Sequence, residues 1–162
     1  MAASERILIA ASCSKAFGLY RERVGVLLAV TPSADEARKV QGNLEKLSRN
    51  LVSMAPSHGA AVVATVLSDA ELRRQWRGEL ESMHARLLEL RGRLARSGLP
   101  ALDGVADRRG LFSMLPLTPE AVDRLAAEHA VYLPRSGRIN VAGLRAEDVE
   151  RFANAVRAIA EG

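Results

Sequence analysis

Lys15 is one of only three lysines, with Lys39 and Lys46, in a 162-residue chain that carries 23 basic side chains. Where positive charge alone suffices, this sequence writes arginine. An arginine stays protonated and cannot add to a carbonyl, whereas a lysine amine can. Lys15 lies in SCSKAFGLYRERVG, residues 12–25, between small residues and an aromatic-glycine turn, directly after an apolar run. That setting marks it as a residue kept for its amine rather than its charge. The same position also fits a lysine snorkelling at a strand end.

The elements around it read as follows. RILIAA, Arg6 to Ala11, and VGVLLAV, Val24 to Val30, are apolar runs without alternation, the pattern of strands buried on both faces. Two such strands alone leave apolar faces and unpaired edges in water, so they are expected to end a larger sheet. Ser33 and Glu36 have capping-box spacing and open a helix with Val40, Leu44 and Leu47 on one face. Arg49 to Gly59 is expected to be irregular, with Pro56 and Gly59 as breakers and His58 satisfying the loop backbone. A helix follows over Ala60 to Leu67. A long one then starts from a capping box of Ser68 and Glu71, with the stripe Leu72, Trp76, Leu80, Met83, Leu87, Leu90 and Leu94, and stops at Gly98 and Pro100.

Beyond it, Leu111 to Leu115, Val131 to Leu133 and Arg138 to Val141 read as short strands. A helix from Thr118-Pro119-Glu120 to Ala130 and a final one with Val149, Phe152, Val156 and Ile159 complete a small α+β lobe. The predicted organisation is therefore α/β in three parts: 1–67, the long helix 68–98, and 99–162.

Composition excludes several functions. A hydrophobic content of 48% is that of a globular chain with a sizeable core. The net charge of +4 does not indicate nucleic-acid binding, because the arginines are interspersed with acids along helices rather than gathered in a basic block with aromatics. No run is long and apolar enough to span a membrane, and Met1 to Glu5 lacks the features of a secretory signal, so a cytoplasmic location is expected. Cys13 is the single cysteine, and no Cys/His spacing suits a metal.

Three stretches, in order, carry a family resemblance: SCSKAFGLYRERVG at 12–25, SMAPSHG at 53–59 and SGRINVAG at 136–143. They resemble the successive signatures of the aspartate and aromatic amino-acid aminotransferases, class I pyridoxal-phosphate enzymes. The resemblance corresponds to the C-terminal two-fifths or so of such an enzyme. It implies the last strands of the large cofactor domain of a fold-type I transferase, the long interdomain helix and most of the small domain.

By that resemblance Lys15 bonds to the aldehyde of pyridoxal 5'-phosphate, yields to the substrate amine, and then moves a proton between substrate and cofactor carbons. Such a lysine needs burial and positive neighbours to work as a base near neutral pH, and Arg23 is a candidate neighbour. Ser12 and Arg23 match the positions that hold the cofactor phosphate, by a hydroxyl hydrogen bond and a bidentate guanidinium. Ser53 matches a serine that contacts the neighbouring subunit's cofactor phosphate. Arg138 matches the arginine gripping the substrate α-carboxylate. Arg49 matches the one that reaches across a dimer to a side-chain carboxylate, and Phe112 resembles an aromatic near the substrate.

The resemblance implies transfer of an amino group between aspartate, glutamate or an aromatic amino acid and a 2-oxo acid such as 2-oxoglutarate. In the family, a carboxylate for the cofactor ring nitrogen, a stacking ring and an amide cradle lie upstream, and Met1 to Glu5 does not supply them. A homo-oligomer or a separate N-terminal part is the expected partner. The chain alone is expected to bind cofactor weakly and turn over negligibly, and the alternative is a non-catalytic remnant acting by association.

Overall fold

A computed structural model describes residues 6–102 and 104–161, so the Met1 to Glu5 lead-in lies outside the described residues. The chain divides into two compact units, one ending at Leu80 and one beginning at Glu81. Each is described by itself.

The first unit begins with β1 (Ile7–Ser12) and β2 (Gly25–Val30), an antiparallel pair running in register from Ile7 opposite Val30 to Ser12 opposite Gly25. β2 starts where a side chain could not: a Cβ on Gly25 would come 2.5 Å from the carbonyl oxygen of Ala11. The burial expected on both strand faces is not found. Ile7, Leu8, Ile9, Val26, Leu27, Leu28 and Val30 are all exposed, with Leu8 reaching 70%. A two-stranded ribbon pairs its backbone along one edge only, and no layer of the described residues covers its faces.

The segment between the strands is not a plain turn but includes a short helix, α1 (Cys13–Ala16), with Ser12 as its N-cap. Next comes α2 (Ala34–Val52), capped by Ser33 as its spacing predicted, with the Oγ accepting from the Glu36 N–H at 3.2 Å. It runs past Arg49, which the sequence placed in an irregular stretch. α3 (His58–Ser68) begins earlier than expected and includes Gly59.

α4 (Ala70–Ala95) is capped not by Ser68 but by its neighbour Asp69. The Asp69 carboxylate accepts from the N–H groups of Glu71 and Leu72 at 2.8 and 2.9 Å, while the Ser68 hydroxyl turns back to the Thr65 carbonyl. A carboxylate on the helix N-terminus gains from the dipole as well as the hydrogen bonds, so Asp69 wins over the hydroxyl. The predicted stripe is buried only in its later half, at Leu87, Leu90 and Leu94; Leu72 and Met83 are exposed.

In the second unit, Leu90, Leu94, Leu102, Leu125, Val141, Val149, Phe152 and Val156 belong to one continuous core. β3 (Phe112–Met114) and β4 (Arg138–Asn140) pair antiparallel, with Phe112 opposite Asn140 and Met114 opposite Arg138. α5 (Pro119–His129) starts at the Thr118 cap and ends at Ala130 in the left-handed region. α6 (Val149–Glu161) closes the unit, burying Phe152, Val156 and Ile159. No strand forms at Val131 to Leu133: the Val131 N–H bonds back to the Leu125 carbonyl as part of the helix ending, so it is not offered to a ladder.

Candidate functional site

Within the first unit, the connection between β1 and β2 positions Ser12, Lys15 and Arg23. Ser12 Oγ accepts from the Ser14 N–H at 3.2 Å, which fixes the hydroxyl at the start of α1, and its proton is donated to Ser14 Oγ at 2.9 Å. Lys15 projects from α1 with Nζ 3.9 Å from the centre of the Tyr20 ring, a cation–π contact. Arg23 Nη1 donates to the Tyr20 carbonyl at 2.9 Å. The amine and the guanidinium thus rest on the two ends of one residue. Tyr20 was not singled out from the sequence; its five-residue spacing from Lys15 is the only signal it left.

Arg23 has φ of 51°, and Ser53 has φ of 58° with ψ of −85°. Left-handed backbone on a side chain other than glycine is costly and concentrates at functional positions. Ala130, at the end of α5, is the third such residue among those described. Two of the three therefore fall on site positions read from the sequence. Ser53 ends α2 one turn beyond Arg49, its N–H bonding to the Arg49 carbonyl at 2.9 Å. Both side chains are exposed.

The loop carrying Lys15 is anchored from α4. Trp76 Nε1 donates to the Ala16 carbonyl at 2.8 Å and its ring stacks on Phe17 at 4.7 Å. The sequence does not signal this polar duty, because a lone tryptophan in an apolar stripe reads as packing. His58 does not serve a loop backbone; its Nδ1 lies 3.1 Å from Glu22 Oε2. Lys15 and Arg23 are exposed, so the burial that a basic amine requires is not supplied by the described residues.

The second unit holds Arg138 and Phe112, which β3–β4 pairing brings together with the guanidinium carbon 4.8 Å from the ring centre. Gly137, just before Arg138, has φ of 74°, and a Cβ there would lie 2.5 Å from the Leu115 oxygen. A groove of about 360 Å³ runs past Arg108, Arg109, Phe112, Met114 and Arg138. No acid lines it. Among the described residues no cluster of His, Cys, Asp or Glu could hold a metal, and no helix is long and apolar enough to cross a membrane.

A primary amine, an oriented hydroxyl and a guanidinium on one fourteen-residue connection, residues 12–25, fit an aldehyde bearing a phosphate. Residues 1–156 match the model of the family "Aminotransferase class I and II". The chain belongs to this aminotransferase family. It is 52% identical over 149 residues to the tyrosine aminotransferase of Rhizobium meliloti (strain 1021), which covers 90% of the chain and 38% of that protein. It is 45% identical over 157 residues to the aromatic-amino-acid aminotransferase of Pseudomonas aeruginosa, covering 93% and 39%. A solved structure of the aromatic-amino-acid aminotransferase from Burkholderia pseudomallei, covalently bound to pyridoxal phosphate, superposes with a TM-score of 0.84 at 39% identity, covering 95% of this chain and 40% of that one. The aminotransferase chain therefore spans about two fifths of the length of these relatives, and its fold is a part of the fold-type I α/β architecture.

Proposed function

We propose that this chain contributes the lysine and the carboxylate-binding arginine of a pyridoxal-phosphate-dependent aminotransferase that passes an amino group between an aromatic or dicarboxylic amino acid and a 2-oxo acid. The observation that carries this reading is the β1–β2 connection, where Lys15 and Arg23 meet on Tyr20 beside the fixed Ser12 hydroxyl. When bound, the cofactor supplies an aldehyde carbon and a ring that draws electrons from the substrate.

Lys15 Nζ would hold the cofactor by condensing with its aldehyde carbon, water leaving, and once freed by the substrate amine would accept and return a proton. Ser12 Oγ already accepts from a backbone N–H, so its own proton can turn from Ser14 to a phosphate oxygen. Arg23, whose Nη1 is seated on the Tyr20 carbonyl, presents a charged fork to the same phosphate. Ser53 contacts the phosphate held by a second subunit. Arg138 binds the α-carboxylate in a bidentate pair, with Phe112 as an apolar wall beside it. Arg49 reads a distal carboxylate. The amino acid and 2-oxo acid are the small-molecule partners, and a second copy or the remaining three fifths of the fold completes the site.

A second reading, an association module without catalysis, is favoured by one observation: both faces of the β1–β2 ribbon are apolar and exposed. The two are separated by supplying the chain with a polypeptide covering the rest of the Rhizobium relative's length, adding pyridoxal phosphate and measuring cofactor absorbance and transamination. Recovery of both is expected. Two folded, associating pieces without either would leave the association module.

A further inference from the structure

Arg91 lies on the buried face of α4 among Leu87, Leu90 and Leu94, and is only 1% exposed. Burying a charge costs several kcal/mol unless partners compensate, and a leucine there would simply extend the core. No carboxylate among the described residues meets it. Its partners are neutral: Nη1 donates to the Val105 carbonyl at 2.8 Å and Ser113 Oγ at 3.0 Å, and Nη2 donates to the carbonyls of Gly110 and Phe112 at 2.7 and 3.2 Å. Nε has no partner. The groups it grips belong to the approach to β3 and to the strand itself. One planar fork therefore fixes the stretch from Val105 to Ser113 at four points, a span with no other regular structure before Phe112.

Phe112 is one of the four points of that clamp. Its carbonyl is held by Arg91, and its ring carries the Arg138 guanidinium at 4.8 Å. Arg138 stands on β4 opposite Met114, so its backbone is placed by pairing with the same strand. A three-residue ladder is too short to define its own geometry. What distinguishes this arrangement from ordinary core packing is direction: every Arg91 bond is to β3 or the segment leading into it.

We infer that Arg91 is a positioning residue for Arg138, acting through β3 and the Phe112 ring to hold the guanidinium in the orientation that binds a carboxylate. This rests on the carboxylate role proposed above for Arg138. Lysine cannot substitute, because a single ammonium cannot span acceptors on both sides of a planar fork.

The test uses the full chain and reads Arg138 directly, through its Nε–H nuclear magnetic resonance signal, which the Phe112 ring shifts upfield; Phe112→Leu identifies that shift. Arg91→Met and Arg91→Lys are expected to lose most of it while keeping a cooperative thermal transition. Arg93→Met, on the same helix but bonded to Glu89 and the Ala146 carbonyl, is expected to retain it. Succinate titration should show about tenfold weaker binding in both Arg91 variants, the penalty of a loosened binding group. An unchanged Arg138 signal in a folded Arg91 variant overturns the inference, as does recovery by lysine or the unfolding of both variants, which would make Arg91 a piece of scaffold. If the parent chain, supplied with a polypeptide covering the rest of the Rhizobium relative's length, binds no succinate, the carboxylate role of Arg138 fails, while the Nε–H shift still decides whether Arg91 positions it.

Discussion

The two units of this chain hold the candidate site residues by different physics. Among the described residues of the second, eighteen apolar side chains from Leu87 to Ile159 are buried, and Arg138 and Phe112 sit on strands laid over that core. Among those of the first, no large apolar side chain is buried, although β1 and β2 are almost wholly hydrocarbon. Lys15, Ser12 and Arg23 are held there by local bonds: a serine cap, a ring under an amine, a carbonyl under a guanidinium, and the Trp76 anchor. Hydrogen bonds exposed to water contribute about 1 kcal/mol each, against roughly 25 cal/mol per Å² of buried apolar surface. The proposed carboxylate-binding arginine is thus carried by a core, and the proposed cofactor-binding side chains by a ribbon whose apolar faces no described residue covers.

The comparison breaks most decisively by cutting it. A piece beginning at Glu81 is expected to unfold cooperatively on heating, and one ending at Leu80 is not; a sharp transition in the latter, followed by circular dichroism, would show that the ribbon has a core of its own. Single truncations sharpen the same contrast. Leu125→Ala, fully buried, should cost about 3 kcal/mol, whereas Leu28→Ala, half exposed, should cost less than about 0.5 kcal/mol by denaturant unfolding. Exposed strand faces also predict self-association, so Leu8→Lys with Leu28→Lys should lower the average mass seen by light scattering, and the charge-neutral Leu115→Met should not.

Smaller effects follow from single bonds. Trp76→Phe keeps a ring for Phe17 but removes the donor to the Ala16 carbonyl, with an expected local loss of about 1 kcal/mol visible as faster amide exchange at Phe17. The smallest is electrostatic. The Arg145 guanidinium holds the Asp148 carboxyl below its ordinary value, and Arg124 does the same for Glu128. Because these folded values are depressed, the stabilisation is complete above the ordinary carboxylate range and fades as pH falls through the folded values. An acid titration of the thermal midpoint should therefore decline only below about pH 4.

Most elements were legible because their signals are local. Apolar runs placed β1 and β2 to within a residue, Ser33 and Thr118 marked their helices, and the motif residues around Lys15 and Arg138 pointed to the family. What stayed hidden was decided by competition or by distance. Asp69 outcompeted Ser68 for one helix end, and Val131 gave its N–H to a helix ending rather than a strand. The apolar runs predicted strands covered on both faces, but coverage depends on what lies beside them, and the described residues leave both faces open. Trp76 and Arg91 were hidden because each acts on groups distant in sequence, which no spacing rule encodes, and Tyr20 because a ring five residues from a lysine matches no regular helix or strand period.

The most direct measurement is of Lys15 itself. Incubating the chain with pyridoxal phosphate, reducing with borohydride and locating the modified peptide should place the adduct predominantly on Lys15, the amine resting on Tyr20, and little on Lys39, which is paired with Asp35 at 2.7 Å, or on Lys46. Equal labelling of all three lysines would contradict a site prepared for covalent capture.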